Sequence, residues 1–190
     1  MSEADRERWD RRWSEGGHAD GAPPDWLREV GSDEPLRGRA LDVAAGAGRI
    51  ALWLAREGLE VLAVDVSPVA LALARAAAES EGLVLETRAL DLERDPLPPG
   101  PFDLVTCFDY LQRDLFPALA ARLSPRGILA CEIATVRNLE RHAHPSRRFL
   151  LERGELKGLV GPLELLHYRE GWWDDRAVAR IAARRRASGG

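Results

Sequence analysis

The stretch Leu41-Asp42-Val43-Ala44-Ala45-Gly46-Ala47-Gly48-Arg49-Ile50-Ala51 decides how the rest of the chain is read. It leaves a short apolar run, Ala40 to Ala44, passes two glycines and enters a segment of helical pattern, Gly48 to Glu57. A strand that turns directly into a helix needs unusual backbone angles and close approach at the turn, and glycine supplies both. Working outward, the alternation repeats. Val61 to Val64 is a second apolar run closed by Asp65. Ser67 then caps, and Pro68 opens, an Ala-rich helix reaching about Ser80. Leu83 to Leu90, Phe102 to Phe108 and Ile128 to Ala134 predict three more strands. Between them, Asp95 to Pro101 holds four prolines and a glycine and reads as a loop. Leu111 to Leu123 reads as a helix that Pro117 kinks or restarts, and Ser124-Pro125-Arg126-Gly127 as a turn.

Strands alternating with helices predict an α/β fold built on a mostly parallel sheet. The chain's end breaks the pattern. Leu163 to Arg169 and Arg176 to Ala183 are strand-like, with about six residues between them. A parallel crossover needs a dozen or more, so these two form an antiparallel hairpin. Gly154 to Val160 makes a short helix before it. Thr135 to Arg148 is polar, rich in Arg and without period, a long loop or lid. At the other end, Ser2 to Trp13 places Trp9 and Trp13 on one face of a helix, Gly16 to Pro24 is a loop, and Asp25 to Val30 a short helix.

A chain of 190 residues with 45% hydrophobic content supports one core. The expected division is a helical cap over residues 1–38, a main domain over 39–184 and a frayed tail over 185–190. Its 27 Lys+Arg against 31 Asp+Glu, a net charge of -4, give no electrostatic footprint for nucleic acid or anionic lipid. Cys107 and Cys131 lie in apolar runs without metal-ligand spacing, so no metal site is expected. With no signal-peptide pattern and no apolar run long enough to span a bilayer, the expected compartment is the cytoplasm.

The glycine loop and Asp65 together imply an adenosine-containing cofactor, because a carboxylate ending the second strand can accept hydrogen bonds from both ribose hydroxyls. Two cofactors compete. Gly46, Gly48 and Ala51 also fit the dinucleotide fingerprint. Asp42 opposes that reading, since a carboxylate inside the strand suits a ligand bearing an ammonium and a sulfonium better than a pyrophosphate.

Here the sequence resembles the class I S-adenosylmethionine-dependent methyltransferases, whose first motif is an acidic strand residue followed by G-x-G, as in Asp42, Gly46 and Gly48. The resemblance continues through Val61-Leu62-Ala63-Val64-Asp65-Val66-Ser67-Pro68, Ala89-Leu90-Asp91-Leu92, Pro101-Phe102-Asp103-Leu104-Val105 and Leu123-Ser124-Pro125-Arg126-Gly127-Ile128-Leu129. It implies a Rossmann-like three-layer sandwich with a seven-stranded sheet of order 3-2-1-4-5-7-6 and an antiparallel last strand. It also implies S-adenosylmethionine as cofactor. Gly46 would meet the methionine end, Asp65 the ribose, Val66 and Asp91 the adenine, and Phe108 the methyl region. Asp42, Ala44, Gly48, Leu92 and Trp13 complete the implied set. The start Trp9-Asp10-Arg11-Arg12-Trp13 and the stretches at Tyr110-Leu111-Gln112-Arg113 and His144-Pro145 look most like the small bacterial tellurite-resistance and thiopurine-methylating type. That likeness implies a small-molecule acceptor: a thiol, a chalcogen oxyanion or another small nucleophile.

Asp109, Tyr110, His142 and His144 are the candidate catalytic groups, needed as bases only if the acceptor does not ionise by itself. Each feature has a plainer alternative. Asp42 can support the loop, Asp91 can form a turn, and Trp9 and Trp13 can dock the terminal helix. His142 and His144, with Arg141, Arg147 and Arg148, either hold an anionic substrate or form a solvated loop. Trp172 and Trp173 either cover a sheet edge or form a homodimer contact. The [Asp/Asn]-Pro-Pro-[Tyr/Phe] motif of exocyclic base-nitrogen methylation is absent after the fourth strand. The competing functions are a nicotinamide-dependent oxidoreductase, for which no Tyr-x-x-x-Lys is evident, and a non-catalytic binding module of the same fold.

Overall fold

The computed structural model of the chain describes residues 3–16, 22–34 and 36–187. Its seven strands lie in the order β3 (Leu85–Ala89), β2 (Glu60–Asp65), β1 (Arg39–Val43), β4 (Phe102–Phe108), β5 (Leu123–Ala134), β7 (Arg176–Arg184) and β6 (Glu164–Trp173). The first five are parallel, and β7 runs antiparallel to both β5 and β6. This is the order expected from the sequence.

The central strands are apolar on both sides because helices cover both faces of the sheet. On one face Trp26, Leu27 and Val30 of α2 (Asp25–Asp33), Ile50 and Trp53 of α3 (Arg49–Arg56) and Leu71 of α4 (Pro68–Ser80) pack with Ala40, Ala63, Leu104, Ala130 and Ala182. On the other, Phe116 and Leu119 of α5 (Phe116–Ala121) and Leu156 of α6 (Glu155–Leu159) pack with Leu41, Val43, Val105, Cys131 and Ile181. Leu92 and Leu97 of the connection between β3 and β4 join this second layer and fill the place of a crossover helix. α1 (Glu3–Ser14) lies against α4. Among the described residues no helix is long and apolar enough to cross a membrane.

Four local readings need correction. The expected turn Ser124–Gly127 is a bulge inside β5: Leu123 pairs with Phe102 and Ile128 with Leu104, so the residues between oppose Asp103 alone. Arg126 takes φ 67 there, and a side chain on Gly127 would meet the Phe102 carbonyl. The predicted helix Leu111 to Leu123 shrinks to a 3-10 turn, Arg113–Leu115, and α5, with Pro117 in its first turn where no N–H partner is needed. The hairpin is tighter than expected, since β6 continues to Trp173 and only Asp174 and Asp175 turn, Asp174 at φ 53. The polar loop after Thr135 is partly ordered into 3-10 turns, Val136–Glu140 and Arg147–Phe149. Residues 17–21 of the expected loop and 188–190 of the expected tail lie outside the described residues.

Gly48 is the N-cap of α3 at φ 88, and a Cβ there would lie 2.8 Å from the Ala74 Cβ of α4. Gly48→Ala therefore combines left-handed strain with overpacking and should lower stability by about 2–4 kcal/mol, read as a lower urea midpoint at unchanged slope.

Candidate functional site

The sheet changes direction between β1 and β4: strands added after β1 run one way to β3, and those from β4 run the other way. Loops leaving the two halves diverge there, which opens a crevice at the strands' carboxyl ends. Asp42 on β1 and Thr106 on β4 are register partners at this point. The Thr106 hydroxyl donates to Asp42 Oδ1 at 2.6 Å, and the Ala51 N–H of α3 donates to Oδ2 at 3.1 Å. Asp42 is 1% exposed. Burial pushes its pKa up to about 7, against the hydrogen bonds from Thr106 and Ala51 and the charge of Arg49, which pull it down. Of the two roles the sequence allowed, the structure places Asp42 behind the loop, tying β1, β4 and α3 together.

Asp65, ending β2, is different. Its Oδ2 accepts from the Gly46 N–H at 2.8 Å and its Oδ1 from the Ser67 N–H at 2.9 Å. Burial raises its pKa, while the N–H groups of Ser67, Gly46 and Val66 oppose the rise. The carboxylate thus binds the glycine loop to the start of α4, and each oxygen keeps a lone pair for a further donor. Ser67 Oγ accepts from Ala70 N–H at 3.1 Å, capping α4, and donates to Asp10 of α1. Trp13 of α1 lies over Gly46, so close that a Cβ at Gly46 would fall 2.8 Å from its Cζ2. Gly46 takes φ 56 and Ala44 φ 55, both in the left-handed region. α1 therefore lies across the loop, with Asp10 at Ser67 and Trp13 at Gly46.

After β3, Asp91 Oδ1 accepts from the Glu93 N–H at 3.1 Å and its carbonyl from Asp95 N–H at 2.7 Å, which folds a tight turn. Leu92 is buried, and its carbonyl accepts from Gln112 Nε2 at 3.2 Å. Gln112 Oε1 in turn accepts from the Tyr110 hydroxyl at 2.7 Å. Burial pushes the Tyr110 pKa upward, so its phenol holds its proton near neutrality and serves as a donor, not a base. Asp109, at φ 57 directly after β4, is ion-paired with Arg176 of β7 and lies 3.7 Å from Arg49.

His142 is drawn to the hairpin tip, where its Nε2 lies 2.8 Å from the Asp175 carbonyl and 3.2 Å from Asp175 Oδ2. Arg141 stacks 3.9 Å over Trp172 of the same hairpin. His144 is exposed on the same loop. Among the described residues no hydrogen bond or ion pair joins either histidine to Gly46 or Asp65, and His142 is held by the hairpin instead. Sequence reasoning also missed Arg49, Arg176, Thr106, Asp10 and a buried cluster in which Glu132 accepts from Trp26 Nε1 at 2.8 Å and Arg180 Nε at 2.7 Å. Glu132 carried a signal, a charge inside the apolar run Ile128 to Ala134. The others carried none, because their partners are remote in sequence. Cys107 and Cys131 face each other across β4 and β5, both buried and free. Burial raises the Cys131 pKa well above its ordinary value, and Cys107 adds to the rise.

Residues 40–127 match the family model described as a methyltransferase domain. This is a class I S-adenosylmethionine-dependent methyltransferase fold. Over 70 residues the chain is 43% identical to the demethylmenaquinone methyltransferase of Thermus thermophilus, covering 36% of this chain and 32% of that one. Over 122 residues it is 32% identical to the putative methyltransferase YqeM of Bacillus subtilis, covering 59% of this chain and 49% of that one. The chain thus spans between a third and a half of these relatives' length. Among solved structures, TehB from Haemophilus influenzae matches with a TM-score of 0.75 at 19% identity, over 88% of this chain and 64% of that one. The magnesium protoporphyrin IX methyltransferase of Synechocystis, solved with bound SAH, matches with a TM-score of 0.70 at 18% identity, over 96% and 94%.

A buried carboxyl whose pKa rises on folding is most stabilising when protonated. The Asp42 contribution is complete below its unfolded pKa of 3.8, declines as pH rises toward about 7 and is level above that. Asp42→Asn can keep both contacts, accepting from Ala51 and donating to the Thr106 hydroxyl. Urea melts should show the native protein losing stability, relative to Asp42→Asn, between pH 4 and pH 8. Parallel profiles for the two proteins would rule out a raised Asp42 pKa.

Proposed function

We propose that the chain binds S-adenosylmethionine at the carboxyl ends of β1, β2 and β3 and transfers its methyl group to a small-molecule acceptor, with a thiol or chalcogen oxyanion as the preferred nucleophile. The Asp65 geometry carries this reading. Its oxygens are oriented by Gly46 and Ser67, so the remaining lone pairs stand ready for two ribose hydroxyls. The surroundings fit the same cofactor. Gly46 lies directly under the Trp13 ring, so the indole borders the place that the resemblance gives to the methionine end. Val66 and Leu92 offer apolar contact for the base beside Asp91, and the buried Phe108 borders the methyl region.

The cofactor supplies an activated methyl on a sulfonium, so the protein's task is alignment and exclusion of water. Trp13 and Asp10 close α1 over the loop from one side. Tyr110 keeps its proton, and Asp109 is engaged by Arg176 and Arg49. Neither group is arranged to take a proton, which supports a nucleophile that ionises by itself near neutrality.

S-adenosylhomocysteine and S-adenosylmethionine should each raise the Tm of the purified chain. Asp65→Asn, which keeps the shape but not the charge, should weaken their binding by about tenfold or more, since hydrogen bonds to a charged group contribute ~1.5–3 kcal/mol. Unchanged affinity in calorimetry would remove Asp65 from the site.

A further inference from the structure

Rows of side chains cross the α2–α3 face of the sheet from β4 to the edge strand β6. In the outermost row Phe108 pairs with Glu132, Glu132 with Arg180, and Arg180 with Arg169. One step inward the row is Thr106, Ala130, Ala182 and His167. β5 and β7 thus offer only two methyl groups in the middle of a row whose outer members sit on strands about 14 Å apart, at about 4.8 Å per strand. Such a row leaves a trough two strands wide.

The indole of Trp26, from the first turn of α2, lies in this trough. Its centroid is 5.8 Å from that of Phe108 and 5.5 Å from that of His167, with interplanar angles of 22° and 14°. Three rings therefore stack across the gap. The indole Nε1 donates to Glu132, which Arg180 holds in place from β7, and Arg180 itself stacks 3.9 Å from Trp173. His167 takes part as an apolar ring: burial, helped by Arg169 and Arg180, lowers its pKa, and its buried Nε2 has no hydrogen-bond partner. Trp26 is left 4% exposed.

Phe108 is the last residue of β4, and Asp109 with its two arginines follows at once. The trough therefore begins at the residue that borders the transferred methyl in the function proposed above, and the inference rests on that reading. We propose that Trp26 is a specificity-determining residue, an indole plug that ends the acceptor chamber behind Phe108 and restricts the chain to acceptors of single-ring size or smaller. A second fused ring on the acceptor needs the volume that the indole fills.

The test compares the full chain with Trp26→Ala and Trp26→Phe, using labelled S-adenosylmethionine and two matched thiols, thiophenol and 2-naphthalenethiol. Calorimetric binding of each thiol to the protein saturated with S-adenosylhomocysteine reads the same preference independently of turnover. The native chain should favour thiophenol. Trp26→Ala should shift the ratio toward 2-naphthalenethiol by about tenfold or more, and Trp26→Phe, which keeps a smaller ring in the stack, by a few-fold. If Trp26→Ala does not fold, the Trp26→Phe ratio decides. A purely structural indole would lower the Tm of both variants, with recovery on adding free indole, and leave the thiol ratio unmoved; that result overturns the proposal. So does a folded Trp26→Ala that binds no 2-naphthalenethiol, or binds it without competition from thiophenol. A native chain whose Tm ignores S-adenosylhomocysteine overturns the methyltransferase reading instead, and thiol binding to the cofactor-free variants then still decides the plug.

Discussion

The hydrogen bond from Thr106 to Asp42 joins the two strands between which the sheet reverses its order of growth. Everything that defines the crevice diverges from that line. β1 feeds the glycine loop and α3, while β4 feeds Asp109 and the path toward α5. A buried carboxylate at such a seam is costly, and the cost is limited in two ways. Thr106 and Ala51 donate to it, and its raised pKa lets it take up a proton when the medium permits. In return the first turn of α3 is pinned to the strand beneath it, so the loop between them cannot drift.

Asp65 shows how the same residue type is put to another use one strand away. Asp42 satisfies its oxygens with a hydroxyl on a neighbouring strand and one helix N–H, and is sealed. Asp65 satisfies its oxygens with the N–H groups of two loops and stays 8% exposed at the crevice. The difference is depth along the strand: Asp42 lies within β1, Asp65 is the last residue of β2. A carboxylate inside a parallel strand braces the fold, whereas one at its carboxyl end faces the ligand side.

The sequence revealed most of the sheet because strand-helix alternation and connection length are local signals. The antiparallel ending followed from the few residues between Arg169 and Arg176. The β5 bulge was hidden because Ser124-Pro125-Arg126-Gly127 has turn chemistry, and only the facing strand β4 makes its ends pair. The hairpin's true length was hidden for a related reason. Trp172 and Trp173 gain their strand conformation from pairing with β7 and from two arginines, Arg180 of β7 itself and Arg141 of the loop after β5. In the site, Gly46 and Asp65 were visible because loop and acid form a compact motif. The Trp26–Glu132 contact spans 106 residues and Arg176–Asp109 spans 67, and no local pattern announces either. His142 and His144 drew notice by chemical type, yet side-chain chemistry says nothing about which element a long loop will lie against.

The two cysteines side by side in β4 and β5 have a consequence for a chain of the proposed activity. An activated methyl group is an electrophile, and thiolate sulfur is the most reactive nucleophile among protein side chains. Both thiols lie in the apolar layer beneath Asp109 and Tyr110, packed between helices and strands. Cys131 is held in its protonated form by burial and by its neighbour. Burial shields both thiols from such a reagent, and Cys131 is in addition held in the form least able to attack it.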